Sequence, residues 1–335
     1  MNKPVLTIGI PTYNRPNSIS KTVRALLPQL NEQIVLKVWD NCSDTPVSEL
    51  FTDEEKKNFT IIRNKVNIGG DANICGVIYH ADTKWVWDLG DDDGPLPDAV
   101  ETILNFIEKY PNALLFKFNS YIEKDLHSFE DLTSFCKYPS IFSNFLYISS
   151  GIYNREKLMG DIQHYYVNLS SMVGQTIFVL KHLENQNEDC YFFVRKIVQH
   201  SVGILDNNEE EAEGGTWNAL TFISRSSLIF DVFNKKRRSL NGTLFSGVAN
   251  LYLDSLGGHG LSLRKTLLAL RIAIRNVGFS NIMKYNRQVF LKMAIKIILV
   301  TILPTKHYEK IKNRAKAKVN KKMLSSATEQ INKTM

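Results

Sequence analysis

Apolar runs that each stop on a polar cluster set the pattern at the opening of the chain. Residues 4–10 (PVLTIGI) form a β-branched run closing on the turn-prone PTYNRP, and over residues 18–30 Ile19, Val23, Leu26, Leu27 and Leu30 recur at helical spacing. A second run, residues 34–39, ends on Asp40, Asn41, Cys42, Ser43 and Asp44. A third, residues 59–63, leads through NKVNIGG into the helix-like DANICGVIYHA. The fourth lies within KWVWDLGDDDGPLP, residues 84–97. It carries aromatic and aliphatic side chains suited to a buried strand, then stops on three consecutive carboxylates, Asp91, Asp92 and Asp93. Strands alternating with helices, each strand finishing in a polar loop, predict an open and mostly parallel α/β sheet. Ligands of such sheets bind outside the carboxyl ends of the strands, where these clusters would converge.

Beyond Pro97 the pattern continues with a helix over 99–108 and a strand over 113–118. Residues 119–140 show no clear period and read as loop. FLYIS, residues 145–149, reads as a strand running into Ser149, Ser150 and Gly151, small residues that let a ligand approach the backbone. Helices are expected near 154–159 and 176–182, and CYFFV, residues 190–194, is the next strand. NNEEEAEGG, within residues 207–216, reads as an acidic linker or loop, and residues 217–335 as a helical, increasingly basic C-terminal region.

At 335 residues and a net charge of +7, the chain has material for one large domain or two modest ones. The charge is unevenly divided. From Arg264 onward 17 Lys and Arg face two acids, a net of +15, while the first 263 residues carry a net of −8. An acidic body with a basic tail implies two jobs, and an anionic partner for the tail. Residues 288–304 (QVFLKMAIKIILVTILP) are apolar but interrupted by Lys292 and Lys296, and fall short of the roughly 20 apolar residues of a spanning helix. KHYEKIKNRAKAKVNKK follows, with eight Lys or Arg and one Glu. Together these segments read as a helix lying in an anionic membrane interface, the alternative being a buried bundle helix with a solvated tail. Nucleic acid is not the expected partner: the tail lacks interleaved aromatics, and the acidic body would oppose DNA. Cys42, Cys75, Cys136 and Cys190 include no Cys-x-x-Cys pair, which argues against a zinc or dithiol motif and for reduced thiols in a cytoplasmic protein. VLTIGI is too short for a signal-peptide core.

Three adjacent acids repel one another and disfavour both helix and sheet. The run is therefore either solvated, as an acidic turn capping the next helix, or holds something positive. The second reading points to a hard divalent cation with oxygen ligands, Mg²⁺ or Mn²⁺, since no His or Cys lies beside the acids.

Taken in order and spacing, GIPTYNRP, WDNCSD, RNKVNIGG and DLGDDDGPLPD resemble the bacterial family 2 glycosyltransferases, whose nucleotide-sugar-binding fold is called GT-A. The likeness is close over the opening strands and loose up to the acidic linker. It implies a Rossmann-like, mostly parallel α/β domain over residues 1–206, with a donor part at 1–118 and an acceptor part at 119–206. It also implies that the first-strand loop and the acid after the second strand hold the nucleotide base. Here those are Pro11, Thr12, Tyr13, Arg15 and Asp40, with Asn41 beside them. A carboxylate accepts a base N–H well, and Tyr13 offers a π-face or its hydroxyl; the other reading of Asp40 is an ordinary turn acid. Gly69 and Gly70 would let the chain pass close to the donor. Where family members often carry a basic residue, this chain has Asp71 and Ala72, and Arg63 either compensates or is a surface residue at the strand end.

The acid triplet resembles the family's Asp-x-Asp signature, in which one acid touches the ribose and another binds the metal. Asp91 and Asp93 are the first choices, with Asp92 next. A bound cation would neutralise charge growing on the departing nucleoside diphosphate. In inverting members a carboxylate in a Gly-Glu-Asp type of motif at a helix start takes the acceptor's proton. The nearest sequence here is Val173-Gly174-Gln175-Thr176, without an acid, and Asp161 and His164 are the nearest ionisable substitutes. The function so implied is metal-dependent, inverting sugar transfer from a nucleotide sugar to a polyprenyl-diphosphate-linked saccharide. It would act peripherally on the inner face of the cell membrane, in O-antigen or capsule synthesis. The alternative is a non-catalytic, membrane-bound nucleotide-sugar binder of a polysaccharide assembly complex.

Overall fold

The structure, a computed structural model, describes residues 3–136, 139–171 and 173–199, together with the helical positions Arg271, Arg287, Leu291 and Ile295. The acidic linker at 207–216 lies outside the described residues. So do the C-terminal region at 217–335 and the apolar segment at 288–304, apart from those four positions. Among the described residues no helix is long and apolar enough to cross a membrane.

The first apolar run becomes β1 (Leu6–Thr12), buried along its whole length. α1 (Pro16–Leu26) begins with Pro in its first turn, where a missing N–H costs nothing, and buries Ile19, Val23 and Leu26. β2 (Ile34–Asp40), α2 (Asp53–Lys56), β3 (Thr60–Arg63), α3 (Gly70–Tyr79) and β4 (Trp85–Asp88) follow. A capping box sets α2, the Thr52 hydroxyl accepting from Glu55 N and the Glu55 carboxylate from Thr52 N. β1 pairs in parallel with both β2 and β4, and β2 with β3. An apolar run covered on both faces is what a central parallel strand requires. Gly9 allows α3 to lie directly on β1, since a Cβ there would stand 2.3 Å from Val77 Cγ1. The order β3-β2-β1-β4 reverses direction at β1, and such a switch leaves a crevice outside the carboxyl ends of the strands.

The next part of the chain makes the sheet mixed. After β5 (Gly94–Pro95) and α4 (Ala99–Lys109) come β6 (Leu115–Lys117), β7 (Lys124–Leu126), α5 (Phe129–Phe135), α6 (Pro139–Leu146) and β8 (Gly151–Asn154). α7 (Arg155–Leu158), α8 (Ile162–Val167), α9 (Gly174–Asn185), β9 (Cys190–Phe192) and β10 (Val198–Gln199) complete the described chain up to residue 199. The main sheet runs β3-β2-β1-β4-β8-β6-β9-β7, with β8 antiparallel to β4 and β6, β9 parallel to β6, and β7 antiparallel to β9. β5 and β10 form a small antiparallel ribbon. α1 and α4 cover one face through Ile19, Val23, Val100 and Ile103, against Ile8, Ile10, Trp85 and Trp87. α3, α5, α6, α8 and α9 cover the other, against Val86, Leu115 and Tyr153. The fold is thus the α/β, mostly parallel sheet flanked by helices that the pattern predicts.

Two stretches depart from that pattern. Residues 119–140 contain β7 and α5, elements too short to show a period; α5 is started by Ser128, whose Oγ accepts from Asp131 N at 3.1 Å. FLYIS is not a strand. α6 ends at Leu146, residues Ile148–Ser150 form a 3₁₀ turn, and the strand begins only at Gly151.

Candidate active site

β1 and β2 end side by side, and the loops after them are stitched together. Asn41 N donates to Thr12 O (2.9 Å), Asn14 N to Ser43 Oγ (3.0 Å) and Asp44 N to Asn14 Oδ1 (2.8 Å). Asn14 adopts φ of 53°, a left-handed conformation that Asn tolerates better than most residues. Pro11 and Thr12 are buried in the strand end, while Tyr13 is exposed at the tip. A cleft of about 240 Å³ opens between the loops, lined by Thr12, Asn14, Arg15, Ser43, Asp44 and Thr45. A larger one, about 870 Å³, is bordered by Val5, Gln33, Lys84 and Glu108 at the amino ends of β1 and β4.

Asp40 is fully buried, and its carboxylate is committed within the protein. Oδ1 accepts from Ser43 N (2.8 Å), and Oδ2 accepts from Val47 N (3.3 Å) and pairs with Arg63. It braces the β2 loop and does not line the cleft. Arg63, expected either at the diphosphate or free on the surface, instead pairs with Asp40 and donates to Ser43 O (2.8 Å). Asn41 shapes the loop before α3: its Oδ1 accepts from Asn64 Nδ2 (3.0 Å) and Ile68 N (3.0 Å), and its Nδ2 donates to Asn67 Oδ1 (2.8 Å). Asn73 on α3 ties this network back to β2, accepting from Asn64 Nδ2 (3.0 Å) and donating to Trp39 O (3.0 Å). Gly69 precedes α3 at φ of 88°, where a side chain would be strained, and Gly70 opens the helix.

Beyond β4 the acids are gripped from two sides. Asp91 is buried; Thr12 Oγ1 donates to its Oδ2 (2.6 Å), Arg15 Nη1 to its Oδ1 (3.0 Å) and Thr22 Oγ1 to its main-chain carbonyl (2.7 Å). Arg15 also reaches Asp92 Oδ2 (3.3 Å). From the other side, Ser149 Oγ donates to Asp93 Oδ2 (2.6 Å) and accepts from Gly90 N (2.8 Å), while Trp87 Nε1 donates to Ser149 O (2.8 Å). Asp93 Oδ2, Ser149 Oγ and Asp92 Oδ1 lie 3.0, 3.1 and 3.3 Å from the point where a Cβ on Gly90 would stand. Oxygens therefore converge on a space that only glycine leaves open. Read from sequence, Ser149 is merely small; its bond to Asp93 spans 56 positions, a separation that no local pattern reports.

Burial pushes the Asp91 carboxyl up to about 6, against the opposing pull of Arg15 and the Thr12 hydroxyl. A raised carboxyl contributes stability that is full below the ordinary value of 3.8 and is lost as pH rises through about 6. With chelator present, Asp91→Asn is therefore expected to be more stable than the parent by about 1–3 kcal/mol near pH 7, the gain vanishing near pH 4. Urea melts at the two pH values check this, and a gain independent of pH would contradict it.

The expected proton acceptors are not brought to this place. Asp161 Oδ2 lies 2.8 Å from Nδ1 of the buried His182, and Asp161 Oδ1 is 3.9 Å from His164 Nε2. Both candidates follow β8, which runs antiparallel to β4 and leaves the sheet with Asn154 opposite Trp85, at the end of β4 away from the acids. Asp161 and His164 are therefore placed with His182, away from the acid loop. The start of α9 reaches the end of α6 through Gln175, whose Nε2 donates to Leu146 O (3.0 Å).

A mostly parallel sheet that switches direction beside an acid loop, with polar loops gathered at its carboxyl edge, is a fold of the GT-A kind. Residues 7–164 match the model of glycosyl transferase family 2. An uncharacterized glycosyltransferase of Haemophilus influenzae is 30% identical over 110 residues, covering 32% of this chain and 36% of that protein. Abequosyltransferase RfbV of Salmonella typhimurium is 27% identical over 116 residues, 33% of this chain and 35% of that one. The chain thus spans about a third of the length of these curated relatives. Among solved structures, residues 1–349 of S. aureus TarS superpose with a TM-score of 0.60 at 11% identity, covering 88% of this chain and 90% of that one, a likeness of fold.

Proposed function

We propose that this chain moves a sugar from a nucleotide-sugar donor, with inversion, to a polyprenyl-diphosphate-linked saccharide in bacterial surface-polysaccharide synthesis, of the O-antigen or capsule type. The observation that carries the reading is the acid loop within the residues that match family 2. Thr12 and Arg15 tie it to the β1 loop, and Ser149 ties it to the part of the chain that follows. The donor class is carried over from TarS, solved in complex with UDP-GlcNAc, which superposes with a TM-score of 0.51 at 13% identity over 82% of this chain and 89% of that one. The abequosyltransferase likeness supports transfer of a sugar.

In this reading Tyr13 and the cleft between the β1 and β2 loops take the base. Asp40 and Arg63 hold that cleft's wall, and Asn41, Gly69 and Gly70 shape the chain along which the donor lies. A divalent cation, Mg²⁺ or Mn²⁺, fits the acid loop, whose converging groups are hard oxygens. Asp92 and Asp93 are the residues that would hold it, because Asp91 is committed to Thr12 and Arg15. Among the described residues no group of three or more His, Cys, Asp or Glu is placed to hold a metal. An ion there would be gripped by one or two carboxylates and completed by substrate phosphates. When bound, the ion supplies Lewis-acid neutralisation of the leaving diphosphate. Arg15 offsets part of the acids' own charge, so a diphosphate can approach them.

The test is release of nucleoside diphosphate from UDP-, dTDP-, GDP- and CDP-linked sugars with Mn²⁺. Turnover of one class, with thermal stabilisation by the matching diphosphate, is expected. Stabilisation without turnover on any acceptor would favour the non-catalytic binder, a reading motivated by Gln175 standing where an acid was expected. Neither effect would end both readings. The basic tail is proposed to hold the protein on an anionic bilayer. Deleting residues 288–335 should abolish flotation with anionic liposomes, and unchanged flotation would refute that part.

A further inference from the structure

Asp88 and Lys117 are fully buried ionisable residues that the site as described leaves without a role. They stand on strands separated only by β8. Lys117 is opposite Gly151, and Asp88 follows Trp87, which is opposite Ile152. Val86 and Leu115, two residues earlier on each strand, pack into the core beneath α3 and α9, so Asp88 and Lys117 point to that same side. Neither Asp88 carboxylate oxygen has a hydrogen-bond partner. Lys117 Nζ donates to Tyr147 O at 2.5 Å. Burial raises Asp88 well above the carboxylate range and lowers Lys117 to about 7, against the opposing pull of Cys136 and Asp88.

Burying two charges is costly, and apolar replacement of such pairs is often neutral or stabilising. The fold itself therefore gives no reason to keep them. The turn after α6 does. Leu146 O accepts from Gln175 Nε2 (3.0 Å), and the next carbonyl, Tyr147 O, accepts from Lys117 Nζ and from Ser150 Oγ (2.9 Å). Successive carbonyls are thus held by buried side chains from α9 and β6. Two residues on, Ser149 grips Gly90 N and Asp93 Oδ2.

We propose that Lys117 and Gln175 are positioning residues of the acid loop: by holding the Tyr147 and Leu146 carbonyls they set Ser149, and through it Gly90 and Asp93. The proposal deepens the sugar-transfer reading and rests on it only for the effect on turnover.

Amide hydrogen exchange on the full chain tests it without reference to activity. In Lys117→Met, exchange at Gly90 and at residues 148–150 should rise about tenfold while β1 and β2 keep the parent's protection. Where the parent turns over donor, kcat should fall with donor KM held within about twofold. Lys117→Met should add little to the loss already caused by Ser149→Ala, because the two act through one contact. If Asp88 left alone loosens the whole domain, Asp88→Leu/Lys117→Met, with both charges gone, carries the same readout. Parent-like exchange at Gly90 in a folded variant overturns the proposal whether or not the protein transfers sugar. Raised exchange at Gly90 with no turnover by the parent would instead sink the sugar-transfer reading and leave the positioning role standing.

Discussion

Asp93→Ala is expected to lower sugar transfer on the order of 10³-fold, about 4 kcal/mol of transition-state stabilisation, while the fold persists. Asp93 takes the Ser149 hydroxyl on one carboxylate oxygen, at the point where Asp92 and Ser149 also converge beside Gly90. Truncation removes the acid from the place where negative charge on the leaving diphosphate must be met. It leaves Ser149 Oγ bonded to Gly90 N, so the loop keeps a partner and stability changes little. Asp91→Ala should behave differently. It strips Thr12 and Arg15 of a shared acceptor, loosening the β1 loop as well, so donor KM should rise along with the fall in kcat. Steady-state kinetics beside urea midpoints separate the two.

The second large effect concerns Asp40. Asp40→Ala should cost about 3 kcal/mol of stability and weaken donor binding, because it deprives two backbone N–H groups and a guanidinium of one buried acceptor. Those partners are Ser43 N, Val47 N and Arg63. Asp40→Asn keeps an oxygen for Ser43 N but loses the charge facing Arg63, and should fall between parent and alanine in both stability and donor affinity. If Asp40 instead met the base directly, the Asn variant would keep parental stability and change only its preference among nucleotides. Denaturant melts together with diphosphate titrations show which pattern holds.

Much of the first half of the fold is visible in the chain itself. β1 and β2 are mostly apolar runs, α1 and α4 repeat their apolar residues at helical spacing, and each strand stops on polar residues. The meeting of Thr12, Arg15 and the acids could be foreseen for the same reason: residues at neighbouring strand ends share an edge once the sheet is parallel. Asp40 shows the limit of that reasoning. An acid at a strand end looks the same in sequence whether its carboxylate faces a ligand or turns back onto Ser43 N and Val47 N. Ser149 and Lys117 were out of reach for another reason. Their partners lie in segments joined only by tertiary packing, and a lysine inside LLFKF carries no sign of where its amine ends. β7 and α5 escaped because three or seven residues cannot display a period.

The central claim is that the acid loop seats a cation together with the donor's diphosphate. Calorimetric titration of UDP, or of whichever diphosphate stabilises the protein, with Mn²⁺ and with chelator tests it most directly. Parent protein is predicted to bind at least about tenfold tighter with Mn²⁺, and Asp92→Ala and Asp93→Ala are predicted to lose that increment while keeping the metal-free affinity. Equal affinity with and without Mn²⁺ in the parent, or an undiminished increment in both variants, would contradict it.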